Sequence, residues 1–281
     1  VRGTGPARRG LPGHHHLLSP GANPNTTLVR CNMKFEEILT HISAIFRREI
    51  RAYFGSPVAY VFIAIFLLLI GFFTFNISSF FEMGQADLRA FFEWHPWLYM
   101  FLVPAVAMRL WAEELRMGTI ELVLTLPITP QEVILGKFLA AWAFIGVALA
   151  LTFPMVLTVF YLGSPDLGPI VSGYFGSFLM AGAFLSVGSM TSAMTRSQVI
   201  SFILAVVICL FFILAGFPPV TAVLADWAPA WLLGVVSGLS FLSHYVSMQR
   251  GVVDLRDVLY FCSVICFMLF ANGIILQHKR A

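Results

Sequence analysis

The sequence predicts an all-α polytopic membrane protein. It has six transmembrane helices, an N-terminal interfacial amphipathic helix and a further cytoplasmic helix between spans two and three. Three observations carry that expectation. Of the 281 residues 59% are hydrophobic and only 11% charged, at a mean hydropathy of +0.86, whereas a soluble domain is about half apolar and about a quarter charged. Apolar stretches that read as spans recur at about 58–77, 96–110, 136–162, 170–193, 198–217 and 258–276, the second of them short unless it begins near Phe91. Lysine and arginine also segregate between the connecting segments. With the amino terminus inside, Lys34, Arg47, Arg48, Arg51, Arg109, Arg116, Lys137, Arg196, Lys279 and Arg280 fall on the cytoplasmic side, against Arg89, Arg250 and Arg256 outside. That bias orients the chain with both termini cytoplasmic. The net charge of +3 gives no pointer to nucleic acid.

Residues 1–32 are rich in Gly, Pro, Arg and Asn and lack hydrophobic periodicity. They are expected to be a disordered tail or a translated upstream segment, with the membrane domain occupying 33–281 from Met33. No apolar run follows Arg8 and Arg9, so they do not read as a signal peptide. His14–His16 reads as part of the tail rather than a metal site. From Phe35 to Phe54, Ile38, Ile42, Ile45, Phe46 and Ile50 recur at helical spacing, opposed by Arg47, Arg48 and Arg51. An amphipathic helix with a basic face suits an anionic membrane surface.

Ser56 then caps, and Pro57 begins, the first span. The second span is short and contains Pro104, and Trp94, Trp97 and Tyr99 read as an interfacial aromatic belt. Thr129, Pro130 and Glu132 form a capping box that starts the third span. A turn at Gly163–Pro169 leads to a fourth span rich in small residues, among them Gly173, Gly176, Gly182 and Gly188, which allow helices to approach closely in lipid. Pro218 and Pro219 end the fifth span. Residues 219–256 read as a re-entrant or interfacial region before the sixth. Cys262 and Cys266, four apart on that last helix, read as packing residues, and no metal site is expected.

The motifs that are missing narrow the function. There is no GxxxxGK[ST] to cradle ATP phosphates, no HExxH, no TVGYG and no nucleophile elbow. The chain is therefore not expected to be an enzyme. Asp, Glu, Lys and Arg are absent across 54–81, 138–165, 167–195 and 258–276. Ion-coupled transport usually needs intramembrane ionisable groups, so the driving force is expected to enter from outside the bilayer.

The natural inlet is the polar stretch Trp111–Pro130, WAEELRMGTIELVLTLPITP. Glu114, Gly118, Glu121 and Thr125 are spaced four, three and four apart and would share one helical face, while Leu115, Leu122 and Leu126 occupy another. Pro127 stops the pattern and Thr129 begins the next helix, leaving a short, stiff joint. On periodicity alone this reads equally as a helix that passes motion to span three or as one that stabilises a loop.

The run from Val103-Pro104-Ala105 through Met108-Arg109-Leu110 and on from Glu113 to Pro127 resembles the signature of ABC-2-type transporter permeases. A second run, Arg250–Tyr260, is similar to the gliding-motility-associated and copper-processing branches of that family. The likeness covers about residues 33–278. It implies six spans, an interfacial helix, a coupling helix between spans two and three, a location in the bacterial cytoplasmic (inner) membrane, and a second, identical or related, permease copy. It also implies two separately encoded ABC ATPase subunits that carry the ATP and magnesium, so this chain itself would hold no cofactor. Glu114, Gly118, Thr119, Glu121 and Pro127 would then be the ATPase-coupling positions, with Glu114 and Glu121 making polar contacts and Gly118 and Pro127 turning the chain in and out. None is catalytic. Asp254, Arg256 and Asp257, at the outer end of span six, would form a structural pair or an outer gate.

The function so implied is the permease subunit of an ABC exporter, moving substrate across the membrane on ATP hydrolysed by its partner. The alternative is a mechanotransmission subunit that drives an extracytoplasmic partner, such as a periplasmic auxiliary protein, without flux. A membrane-embedded enzyme or channel is disfavoured by the missing motifs. The spans suit lipid-like, peptide and polysaccharide cargo alike.

Overall fold

The structure, a computed structural model, describes residues 24–82, 87–119, 129–226 and 228–279, with side chains from Glu36 onward. The chain divides into two units, residues 1–39 and 40–281, and the packing described below belongs to the second. Helix α1 is Pro24–Gly55. Residues 24–32, expected as tail, are thus helical, and residues 1–23 lie outside the described residues.

Helix α2 (Pro57–Phe72) starts where the sequence places it. Ser56 is extended and its side chain accepts from the Val58 N–H, with Pro57 in the first turn, where a missing N–H is harmless. The helix continues as a π-helical turn, Phe73–Ile77. Then follow α3 (Arg89–Glu93), α4 (His95–Ala107), α5 (Arg109–Met117), α6 (Pro130–Ala150), α7 (Phe153–Leu162) and α8 (Leu167–Met194). The chain goes on with α9 (Gln198–Leu214), α10 (Pro218–Ala225), α11 (Ala230–Gly238), α12 (Phe241–Gln249) and α13 (Leu255–His278). Thr129 caps α6, accepting from the Glu132 N–H at 3.4 Å. Asp254 caps α13, accepting from the Arg256 N–H at 3.0 Å.

Among the described residues, four segments are long and apolar enough to cross a membrane: Pro57–Ile77, Pro130–Leu162, Leu167–Met194 and Leu255–His278. Two bent pairs, α9 with α10 at 65° and α11 with α12 at 68°, raise the number to six if each pair counts as one span. The expected span 96–110 is not among them. Helix α4 has 13 residues, about 20 Å of rise, against the ~30 Å of a hydrocarbon core. After Ala107 the helix breaks at Met108 and resumes as α5. The expected break near 218 is present as the α9/α10 bend, with Pro218 in the first turn of α10. The region expected to be re-entrant holds the second bend, where Ser240 caps α12.

Helix α8 is the central post. Its most apolar window is 78% buried, against 22% for Pro57–Ile77 and 28% for α13. Its glycines explain why it can be surrounded. A Cβ at Gly173 would lie 2.5 Å from the Phe92 ring, one at Gly176 2.6 Å from the Met248 sulfur, and one at Gly182 2.8 Å from the Trp142 indole. One at Gly188 would meet the Ala107 Cβ. Small residues thus let α3, α12, α6 and α4 approach one helix from different sides. Tyr99, expected in the aromatic belt, is instead 1% exposed and shares a 2.9 Å hydrogen bond with Ser177 of α8. In an apolar core its hydroxyl needs a partner more than its ring needs the interface.

Candidate functional site

Helix α1 meets α6 along one stripe of four residues spaced four apart, which a helix places on a single face. The His41 Nδ1 lies 2.9 Å from Glu132 Oε2. Ile45, buried at 8% exposure, fills a notch at Gly136, where a Cβ would come within 2.7 Å of its Cγ2. Glu49 Oε1 is 3.5 Å from Lys137 Nζ. Tyr53 stacks on Phe144 with ring centroids 5.2 Å apart. Arg47, Arg48 and Arg51 stay exposed off the stripe, as the amphipathic reading requires. Burial, with the Glu49 carboxylate beside it, pushes the Tyr53 phenol well above its usual range against the opposing pull of Arg109, so Tyr53 is a neutral hydrogen-bonding group.

Lys137 is the node of this junction. Its side chain is only 5% exposed. The ammonium donates to Glu114 Oε1 at 2.7 Å and to the Leu110 carbonyl at 3.3 Å. It sits 5.3 Å from the centroid of the Trp111 ring, a cation–π arrangement. With the Glu49 contact it joins three helices, α1, α5 and α6. A buried cation is tolerable only when so surrounded.

The other side of α5 is held by α8. The first N–H groups of a helix lack intrahelical partners, and Met108, at the α4–α5 break, supplies no side-chain cap. Ser192 takes that place from 80 or more positions away. Its hydroxyl accepts from the Trp111 and Ala112 N–H groups at 3.1 and 3.0 Å and donates to the Met108 carbonyl at 2.9 Å. Next to it, Ser189 accepts from the Trp111 indole N–H at 3.2 Å and from the Asn272 amide at 2.8 Å. The Trp111 ring is therefore fixed by Ser189 at its N–H edge and by Lys137 at its face.

These contacts redistribute the predicted coupling residues. Glu114 is turned inward to Lys137, with its Oε2 buried and without a hydrogen-bond partner among the described residues. Gly118 is left-handed at φ 71° and ends α5, and the Thr119 N–H closes the terminus on the Glu114 carbonyl at 3.1 Å. That six-residue closure favours glycine at the left-handed position. The helical face read through Glu114, Gly118, Glu121 and Thr125 is therefore interrupted at Gly118. Glu121 and Pro127 lie outside the described residues.

The second predicted cluster also rearranges. Asp254 is spent as the α13 cap. Asp257, 6% exposed, pairs with His244 of α12, Oδ1 to Nδ1 at 2.6 Å, rather than with Arg256. The His244 Nε2 lies 3.1 Å from the Gly238 carbonyl, and its ring stacks on Tyr260 at 4.0 Å between centroids. Both ring nitrogens thus face acceptors. The Tyr260 hydroxyl donates to the Leu239 carbonyl. Together these tie the α11–α12 bend to α13. Gly251, at φ 90°, makes the turn from α12 toward Asp254 and packs against Pro169. His244 was not singled out in the sequence. Its only signal was a histidine 13 positions before an aspartate at a helix start.

A family model described as ABC-2 family transporter protein matches residues 43–252. A search of curated proteins found no match.

Proposed function

The chain belongs to the ABC-2 transporter family, and we propose that it is a permease subunit moved through α5 by a separate ABC ATPase. The family's members are typically non-enzymatic, multi-pass membrane subunits that partner with an ABC ATPase. In this reading two ATPase copies carry the ATP and magnesium. They engage the cytoplasmic segment that follows Gly118, including Glu121 and Pro127. A second permease copy completes the pathway in the bacterial inner membrane, with both termini cytoplasmic. The Arg250–Tyr260 run supports placing the chain near the gliding-motility-associated and copper-processing branches.

The observation that carries the proposal is the double tether of α5. Lys137 and Glu114 bind it to α6 and, through Glu49, to α1, while Ser192 and Ser189 bind it to the central α8. A push on the end of α5 therefore reaches two candidate spans and the interfacial helix at once. Glu114 acts here as an internal tie, and Gly118 and Thr119 as the joint between α5 and the ATPase-facing segment. The outer cluster Asp254, Arg256 and Asp257 serves structure, through the Asp254 cap and the His244–Asp257 pair.

The test is Glu121→Lys in the complex with its ATPase, reconstituted in vesicles. Uncoupling appears as ATP hydrolysis that persists while export, or the movement of an extracytoplasmic partner, is lost. Unchanged export and unchanged ATPase stimulation would remove the assignment. Partner movement without flux in the unmodified complex would select mechanotransmission over export.

A further inference from the structure

A cavity of about 500 Å³ opens among α1, α2, α4, α5 and α6, within the usual range for small-molecule sites. Its lining is divided. Val61, Phe62 and Ile65 of α2 and Leu102 and Val106 of α4 make an apolar half. Val61 and Ile65 are 56% and 44% exposed, so this half is open on the side of a membrane-spanning helix. The other half carries charge: Glu49, Glu113 and Glu114 against Arg109 and Lys137.

Those charges are not equally spent. Glu49 is held by Arg48 at 2.6 Å and by Lys137 at 3.5 Å, and Lys137 also holds one oxygen of Glu114. The second oxygen of Glu114 is buried and has no partner among the described residues. Arg109 and Glu113, one helical turn apart, make no ion pair with any described residue. The cavity thus offers one exposed cation, Arg109, one exposed carboxylate, Glu113, and an apolar channel. An apolar molecule would engage neither charge. A purely anionic amphiphile would add negative charge beside three carboxylates. A purely cationic one would leave Arg109 unused.

We propose that this cavity binds a zwitterionic phospholipid with a primary ammonium head group, drawn from the bilayer. Arg109 takes the phosphate, Glu113 takes the ammonium, and one acyl chain lies along Phe62 and Val106. The site goes beyond the coupling reading and does not depend on it, because no ATPase is needed for the lipid to bind.

The test is thermal stabilisation of the full-length protein in detergent on adding phosphatidylethanolamine. Phosphatidylglycerol, diacylglycerol and water-soluble glycerophosphoethanolamine are run in parallel. Only phosphatidylethanolamine is expected to stabilise at low concentration. Loss of one charge-assisted hydrogen bond removes about 1.5 kcal/mol or more, so Arg109→Gln and Glu113→Gln should each raise its half-maximal concentration about tenfold. A second measurement guards against variants that fold poorly. Phosphatidylethanolamine with a photoactivatable acyl chain should label the unmodified protein within residues 58–65, and unlabelled phosphatidylethanolamine should compete. Equal stabilisation by phosphatidylglycerol or diacylglycerol, stabilisation by the head group alone, unshifted variants or labelling elsewhere would each overturn the proposal.

Discussion

Replacing Lys137 with methionine keeps the length and most of the volume of the side chain and removes its charge. The structure sets the size of the effect. The Nζ serves Glu114 at 2.7 Å, the Leu110 carbonyl at 3.3 Å and Glu49 at 3.5 Å, and the lysine side chain is 5% exposed against 19% and 17% for the two carboxylates. Lys137→Met leaves Glu114 facing an apolar group with one oxygen already lacking a partner, while Glu49 keeps Arg48 at 2.6 Å. Breaking a buried pair by removing one member costs roughly 3–5 kcal/mol. Because both carboxylates keep some access to water, the low end applies, about 3 kcal/mol, or on the order of a hundredfold in the unfolding equilibrium. The stranded Glu114 carboxylate is the cause, so neutralising it repairs the loss. Lys137→Met with Glu114→Gln should recover most of the stability, since an uncharged replacement of a buried ionic group is often neutral or better. Equilibrium unfolding in mixed micelles, run as a cycle over the single and combined variants, measures the coupling directly. A Lys137→Met protein within about 0.5 kcal/mol of the unmodified one, or a combined variant as unstable as the sum of its parts, would refute the node.

Two further outcomes are expected. Ser192→Ala removes the acceptor used by the Trp111 and Ala112 N–H groups and should destabilise by about 1–2 kcal/mol, the usual value of a helix cap; faster amide hydrogen exchange confined to the start of α5 would locate the effect. His244→Ala strands the buried Asp257 and should release the α11–α12 bend from α13, seen as increased proteolysis near residues 238–250, and adding Asp257→Asn should reverse much of it. Recovery absent in that double variant would point to the Tyr260 stack rather than the ion pair.

The parts of this fold legible in the sequence are those whose cause is local. Ser56-Pro57, Thr129-Pro130 and Asp254 start helices because a cap acts over two or three residues, and each does so in the structure. The small residues of α8 announced close packing without saying against what. The α4–α5 break was not legible, because the hydroxyl that caps α5 belongs to Ser192, 80 to 84 positions away. Periodicity alone ran the polar stretch as one helix through Gly118, and the left-handed glycine ended it. Glu114 looked like a surface contact because its neighbours are polar, yet its partner lies 23 positions on, beyond a turn. The α1 stripe could have been read. His41, Ile45, Glu49 and Tyr53 stand at strict four-residue spacing, but the isoleucine face and the arginines dominated the pattern. Arg256 seemed a natural partner of Asp254 or Asp257 by proximity in sequence, whereas Asp257 at the start of α13 reaches across to the element packed on it, and His244 is there.

Lys137 also fixes a depth. It is the last ionisable residue before the charge-free run 138–165, so α6 carries its charge at the edge of its apolar length. Sinking it by one turn would move the ammonium about 5 Å away from both carboxylates, more than the 2.7 Å contact to Glu114 can survive. The ionic cost of a buried lysine without partners forbids that displacement. Any motion delivered to α5 must therefore carry the start of α6 and the Glu49 turn of α1 with it, or else first open the Lys137 contacts. The Ser192 hydroxyl bonds oppose independent sliding of α5 against α8. On the proposed coupling, a stroke entering near Gly118 would meet one body of α1, α5 and α6 that Ser192 holds to α8.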